Sequence, residues 1–255
     1  MHFCTQCKRP YKAYRSVCGS CHEWGTIKKS ATLPEGVVSL GQDKGTPIKR
    51  YSTGVPRIDT VLGGGLVKGS FTLLGGEPGV GKSTLLLQIC EGVRTANPNW
   101  NLLYVNAEEA VDKIQDRALR LKIPKDPQIY LGEKQDLHDI VDIIWKMAPH
   151  MVILDSLQTI GSRDIDSPTG TLAQMRYVAM KLSAFAKKTQ TIVWVVSHVT
   201  KEGDISGPKA VEHLVDTTLL FHQGQGSERI LMSEKNRFGS TLEIASFQMT
   251  EKGLQ

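Results

Sequence analysis

The sequence contains no apolar run near the roughly 18 residues that a membrane-spanning helix requires, and its start, Met-His-Phe-Cys, lacks the basic and then apolar pattern of an export signal. Insertion and secretion are not expected, and a cytoplasmic location is. Net charge is also missing from most of the chain. The formal +5 resides in residues 1–30, where Lys8, Arg9, Lys12, Arg15, Lys28 and Lys29 face one anion, Glu23; positions 31–255 carry 25 basic and 25 acidic residues. Attraction to a polyanion must come from the head or from local patches. Four thiolates on one zinc ion would lower the head to about +3. After residue 21 cysteine occurs once, as Cys90, in the apolar stretch Leu85-Leu86-Leu87-Gln88-Ile89-Cys90, where it reads as an inert core residue.

The other four cysteines fall as Cys4-x-x-Cys7 and Cys18-x-x-Cys21, with ten residues between the pairs. Each pair can form a tight knuckle aiming two sulfurs at one metal, and two knuckles complete the tetrahedron that Zn²⁺ prefers. The competing readings are two disulfides or a redox dithiol. They suit neither a cytosolic chain nor a segment without a thioredoxin-like strand and helix pattern. A segment this short buries too little apolar surface to fold alone, so the zinc would be structural. His22, beside Cys21, is a lesser candidate ligand; Phe3, Tyr11, Tyr14 and Trp24 either cover the knuckles or stack on bases.

Residues 31–50 mix Pro34, Gly36, Gly41, Gly45 and Pro47 with scattered charge and no periodicity, which reads as a linker. From Tyr51 onward the pattern predicts folded structure. A turn at Gly63-Gly64-Gly65 leads to an apolar strand, Ser70 to Leu74, and then to Gly76-Glu77-Pro78-Gly79-Val80-Gly81-Lys82-Ser83 and a helix from Lys82 to about Thr95. Strand, glycine-rich loop and helix in that order let backbone N–H groups wrap phosphates at a helix start. The spacing predicts an ATP site: Lys82 reaching the β and γ phosphates, the Ser83 hydroxyl on Mg²⁺ and Thr84 beside the α phosphate.

Further strands at 102–106, 128–131, 151–154 and 191–197 alternate with helices at about 107–121, 137–147 and 172–188. Three closing strands near 217–221, 229–233 and 242–247 have no helix between them. The expected fold class is α/β: a P-loop core with a mainly parallel sheet flanked by helices, a C-terminal antiparallel extension and a small N-terminal zinc ribbon. The expected domains are residues 1–30, a linker at 31–50 and the large domain at 51–255. Asp155 ends an apolar strand, as an Asp that orients Mg²⁺ through its water shell would. Glu108 and Glu109 follow the strand 102–106 at the sheet edge where a nucleotide should lie. Either could polarise the attacking water, and both also suit a first helical turn.

These residues resemble the bacterial RadA (Sms) recombination and repair family, which has a RecA-like motor core. The resemblance runs from the cysteine head, ending Cys21-His-Glu-Trp24-Gly-Thr-Ile27, through Leu62-Gly-Gly-Gly-Leu66, the phosphate loop, Tyr104-Val-Asn-Ala-Glu108-Glu109 and Leu154-Asp-Ser-Leu-Gln158. It continues through His198-Val-Thr-Lys201-Glu-Gly-Asp-Ile-Ser-Gly207-Pro-Lys209 and Glu212-His213-Leu-Val-Asp216 to Lys235-Asn-Arg-Phe-Gly239. It implies a ring, hexameric in the family, with ATP between subunits and single-stranded or branched DNA in the centre. In such a ring Lys235 and Arg237 reach the neighbour's γ phosphate. It favours Glu108 over Glu109, makes Ser197 and His198 sensors of hydrolysis, and offers Arg163, Lys201 and Lys209 as phosphate contacts, tempered by Asp164, Asp166, Glu202 and Asp204. Helicase or branch-migration activity in recombination and repair is implied, with a recombinase or replication partner. A replicative DnaB-like helicase and a nucleotide-gated DNA-binding module that assists a recombinase are the alternatives. The family's Lon protease-like domain has no counterpart here, since the match stops with the motor core.

Overall fold

The computed structural model describes residues 1–29, 47–198 and 211–255. It divides into two compact units, Met1–Ile48 and Lys49–Gln255. The first unit is a three-stranded antiparallel sheet of β1 (His2–Cys4), β2 (Pro10–Tyr11) and β3 (Ile27–Lys29), in the order β2-β1-β3. Its core is small. Cys4, Cys18 and Ile27 are buried, with Tyr11 and Cys21 packed against them.

The second unit begins with a two-stranded ladder of β4 (Arg50–Tyr51) and β5 (Leu66–Val67) that encloses the helix α1 (Pro56–Val61). The main sheet follows: β6 (Phe71–Gly76), β7 (Leu102–Asn106), β8 (Ile129–Gly132), β9 (Met151–Asp155), β10 (Ile192–His198), β11 (Thr217–Gln223), β12 (Glu228–Asn236), β13 (Ile244–Thr250) and β14 (Gly253–Leu254). Their order is β14-β13-β12-β11-β6-β10-β9-β7-β8. The six strands from β11 to β8 are parallel, while β12, β13 and β14 continue the sheet antiparallel. The helices are α2 (Lys82–Ala96), α3 (Val111–Arg120), α4 (Leu137–Met147) and α5 (Leu172–Thr189).

Alternation along the strands separates two cores. On β10, Val193 and Val195 face α4 and α5, whereas Ile192, Trp194 and Val196 face the side that holds α2. On β6, Phe71 and Leu73 join the first group and Leu74 the second. A sheet buried on both faces explains why these strands read as continuous apolar runs. Each such Val, Leu or Phe contributes about 1.5 to 3 kcal/mol of burial. Helix ends are set locally. Asp136 caps α4 by accepting from the amides of His138 and Asp139, and the helix stops at Ala148, in left-handed conformation before Pro149. Thr171 caps α5 through the amide of Gln174.

The register sets up the site. Gly76 lies beside His198, and Asn106 beside Asp155, so the carboxyl ends of β6, β7, β9 and β10 come level at one edge of the sheet. One expectation shifts here. Glu108 and Glu109 do not start a helix, because α3 begins at Val111; the Asn106 side chain instead accepts from both their amides, at 2.8 and 2.7 Å, and holds them in a turn. Lys235 lies within β12, partly buried.

Candidate functional site

At the level edge a cavity of about 340 Å³ is lined by Pro78, Gly79, Gly81, Lys82, Ser83, Thr84, Asn106, Glu108, Glu109, Arg117, Asp155 and His198. Gly76, Glu77 and Val80 complete the loop around it. Helix α2 opens at Gly81, whose φ of 110° is a backbone conformation that strains any residue with a side chain. No side chain caps this helix start. Its first-turn amides have no carbonyl one turn earlier to bond, which makes the loop fit for an anion.

Lys82 lies almost wholly inside, at 5% exposure, and its ammonium donates to the carbonyls of Gly76 (2.8 Å) and Glu77 (2.9 Å) and meets His198 Nδ1 at 3.2 Å. Burial holds its pKa below the usual lysine value, against the charges of Asp155, Glu108 and Glu77. The Ser83 hydroxyl donates to Asp155 Oδ2 at 2.9 Å, and the Tyr104 hydroxyl donates to the same oxygen at 2.8 Å. A hydroxyl and a carboxylate so placed suit Mg²⁺, with Ser83 as ligand and Asp155 behind it. The Asp155–Ser156 peptide is cis.

Glu108 receives two donors on one oxygen: the Ser156 hydroxyl and His198 Nε2, the latter at 2.8 Å. Burial pushes its pKa up, but the Ser156 and His198 contacts and the charge of Lys82 outweigh it and hold the carboxyl below the ordinary range. Glu109 is engaged otherwise, with Arg117 at 2.9 Å. The buried Ser197 hydroxyl accepts from Gln158 Nε2 at 2.8 Å, and the same nitrogen reaches the His198 carbonyl. The site therefore joins Lys82, Ser83, Thr84, Glu108, Glu109, Asp155, Ser197 and His198. Sequence reasoning assigned no role to Tyr104, Asn106, Arg117, Ser156 or Gln158, although four of them lie inside motifs it had singled out.

Lys235 and Arg237 are not at this edge. Thr217, the first residue of β11, pairs with Thr72 of β6 and with Asn236 of β12, so Arg237 sits at the amino end of β6, at least about 13 Å along the strand from the loop. Arg237 donates to Asp216 at 3.0 Å, and the second oxygen of that buried carboxylate takes the Phe71 amide. Lys235 donates to the Glu212 carbonyl at 2.7 Å. Burial, then the charge of Arg237, holds its pKa below the usual value. Gly63 and Gly239 meet here; a Cβ on Gly63 would lie 2.8 Å from the Gly239 Cα. The Leu62 to Leu66 turn thus seats the Lys235 to Gly239 motif. Arg163 is exposed but paired, with Asp136 at 3.0 Å and Asp139 at 3.5 Å. Lys201 and Lys209 lie outside the described residues.

In the first unit the four cysteine sulfurs lie within 4.8 Å of one another, with Cys7 to Cys18 at 3.5 Å and Cys4 to Cys21 at 3.6 Å. A tetrahedral zinc site with bonds of about 2.3 Å requires sulfurs about 3.8 Å apart, so the cluster fits Zn²⁺. Burial opposes ionisation of Cys18, but amides of Cys21 and Ser20 and the Tyr11 hydroxyl outweigh it and bring its pKa to about 5. At Cys21 the Glu23 amide yields to burial and contacts with the neighbouring sulfurs, which push the pKa up to about 12, so the cluster without metal favours a thiolate on Cys18 and keeps the proton on Cys21.

Two tests follow from this geometry. Ser156→Ala removes a donor from Glu108 and should raise its carboxyl pKa, moving the acid limb of kcat/KM to higher pH. An unmoved limb would show that Glu108 does not govern it. Stripping zinc with a strong chelator should collapse the NMR dispersion of residues 1–29 and leave signals from 49–255 in place. A dispersed spectrum after complete zinc removal would refute the structural role.

Comparison with known proteins bears on the family and the fold. Residues 41–204 match a family model described as an AAA domain. The DNA repair protein RadA of Aquifex aeolicus is 40% identical, over 100% of this chain and 59% of its own length; that of Rickettsia bellii is 38% identical, over 99% and 58%. The RadA of Pseudomonas aeruginosa is 36% identical, over 100% and 59%. The chain thus spans about three-fifths of the length of the curated relatives it matches. A crystal structure of a KaiC-like protein from Pyrococcus horikoshii OT3 superposes with a TM-score of 0.67 at 17% identity, over 82% of this chain and 98% of that one, which speaks to the fold alone. On the family match and the RecA-like fold, the chain belongs to the AAA-domain family, and along its whole length it is similar to the DNA repair proteins RadA.

Proposed function

We propose that the chain is a DNA-dependent ATPase of DNA repair and recombination, working on single-stranded DNA as a ring of identical subunits. The observation that carries this reading is the separation, within one chain, of the phosphate loop from the basic pair Lys235 and Arg237. The phosphate loop, Asp155 and Glu108 lie at one end of the sheet, and Lys235 and Arg237 are anchored at the other. A second copy docked head to tail would bring its Lys235 and Arg237 to the γ phosphate, adding cations to Lys82. The likeness to the DNA repair proteins RadA points to DNA as the partner.

In this mechanism ATP lies with its phosphates against the loop amides and Lys82. Beyond Thr84, the base and ribose occupy a hollow of about 650 Å³ lined by Arg120, Leu121, Lys122 and Met249 to Gly253. Mg²⁺, held by Ser83 with Asp155 behind, neutralises the β and γ oxygens when bound. Glu108 accepts a proton from the water that attacks the γ phosphorus, with its carboxylate steadied by Ser156 and His198. His198 touches both Lys82 and Glu108, so a change at the γ phosphate reaches β10 and Gln158 directly. Dependence on a neighbour's cations would couple hydrolysis to assembly.

Arg163 carries two carboxylate partners, and this favours an auxiliary rather than a leading part for it in DNA contact. If DNA binding leaned on Arg163 alone, the reading as a slow, nucleotide-gated module that assists a recombinase would gain. Strand-displacement assays separate the two.

The test is a mixing experiment on steady-state ATP turnover with single-stranded DNA. Glu108→Gln and Arg237→Ala should each lose about 100-fold or more alone. Mixed, they should recover a substantial part, because some interfaces then pair an intact Glu108 with an intact Arg237. Mixtures as inactive as their components, or Arg237→Ala turning over normally, would contradict the shared site.

A further inference from the structure

At the amino ends of β6, β9 and β10, the tails of α4 and α5 surround a hollow of about 350 Å³ whose lining includes Lys68, Trp145, Pro149, His150, Phe185 and Lys188. None of these has a part in the nucleotide site. Trp145 is 55% exposed; its ring stands edge-on to Phe185, with centroids 5.6 Å apart, and Lys188 Nζ lies 6.0 Å from its centre. Charge here has one sign. From Ser167 to His198 the sequence has no Asp or Glu, while α5 carries Arg176, Lys181, Lys187 and Lys188. Among the described residues Lys68, Lys146, Lys187 and Lys188, all exposed, form no ion pair. Asp142, one turn before Trp145, is the carboxylate nearest along α4. Lys68 lies on the same hollow with its ammonium 5.4 Å from the Tyr51 ring, and Lys187 precedes Lys188 on α5; in a unit whose charges otherwise balance, a half-exposed indole with Lys188 over it and lysines without carboxylate partners close by is a local exception.

We propose that this hollow binds a segment of single-stranded nucleic acid, one base stacked on Trp145 and the flanking phosphates held by Lys68, Lys187 and Lys188. A base needs only a flat apolar platform, and phosphates need only cations, so one aromatic among unpaired lysines meets both demands. An acidic peptide is the rival polyanion, but it would gain little main-chain recognition. The hollow is walled by helix tails and turns, and β6, β9 and β10 are each paired on both sides, leaving no free strand edge for a peptide to join. Lysines rather than bidentate arginines read no base edge, so the site is tolerant of sequence. It lies at the opposite end of the strands from Arg163, which follows the carboxyl end of β9. The site adds to the DNA contact proposed above and does not require nucleotide.

The test uses the full chain carrying Trp24→Phe. Trp24 is 74% exposed, whereas Trp100 and Trp194 are 7% and 1% exposed, so Trp145 then remains as the one accessible indole. An oligothymidylate of about 12 nucleotides is titrated without ATP, reading tryptophan fluorescence alongside the anisotropy of a labelled copy. Saturable quenching that weakens about tenfold or more in Lys187→Glu/Lys188→Glu, weakens with salt and persists in Arg163→Glu would support the site. Unfolding of the charge-reversed variant should match that of its parent. Oligonucleotide that raises anisotropy without quenching Trp145 would overturn this site while leaving the proposed motor intact, as would quenching indifferent to charge reversal. Absence of any binding would overturn both. Polyglutamate quenching Trp145 in a lysine-dependent way, where oligothymidylate does not, would assign the hollow to an acidic protein and overturn the proposal.

Discussion

The buried ammonium of Lys82 is the constraint around which the site is arranged. Taking a cation out of water costs several kcal/mol unless partners replace its hydration. Here the replacements are two backbone carbonyls, Gly76 and Glu77, and an imidazole nitrogen, none of them an anion in contact. Asp155 and Glu108 supply negative charge at a distance, which opposes the fall in pKa without cancelling it. The arrangement leaves Lys82 under-compensated until a polyphosphate arrives. Everything that positions it depends on register: Gly76 beside His198 and Asn106 beside Asp155 bring the loop, Asp155 and the turn that carries Glu108 to one level.

The sheet divides labour between its two ends. Carboxyl ends carry chemistry, as in other open parallel sheets. The amino ends carry Arg237 on Asp216, Lys235 on the Glu212 carbonyl, and the cationic hollow at Trp145. Asp216 bonds both the Arg237 guanidinium and the first amide of β6, so the basic motif is tied to the strand that ends in the phosphate loop. Glycine on glycine at positions 63 and 239 completes the tie. That connection gives a physical route between a subunit's own nucleotide and the cations it would offer a neighbour.

Much of this was legible before any coordinates. Long apolar strands alternating with amphipathic helices announce a parallel sheet, and the glycine-rich loop announces its phosphate site, because both depend on local pattern. The cysteine spacing belongs to the same class. What local pattern does not encode is which side chains meet across strands. Gln158 acquires meaning only when β9 lies beside β10, and Tyr104 and Ser156 only when β7 lies beside β9. The short ladder of β4 and β5 was missed because two-residue strands have no period to read. Glu108 and Glu109 were placed in a helix because the Asn106 side chain, rather than a helical hydrogen bond, holds their amides.

The most direct measurement of the central claim compares wild type with Lys82→Met, which preserves length and removes the charge. Calorimetric titration with a non-hydrolysable ATP analogue and Mg²⁺ is paired with urea unfolding of the apo protein. The account predicts affinity lower by about 100-fold, or about 2.8 kcal/mol, together with an apo protein at least as stable as wild type. Unchanged affinity, or an apo protein destabilised by several kcal/mol, would contradict the view that Lys82 is held there for phosphate.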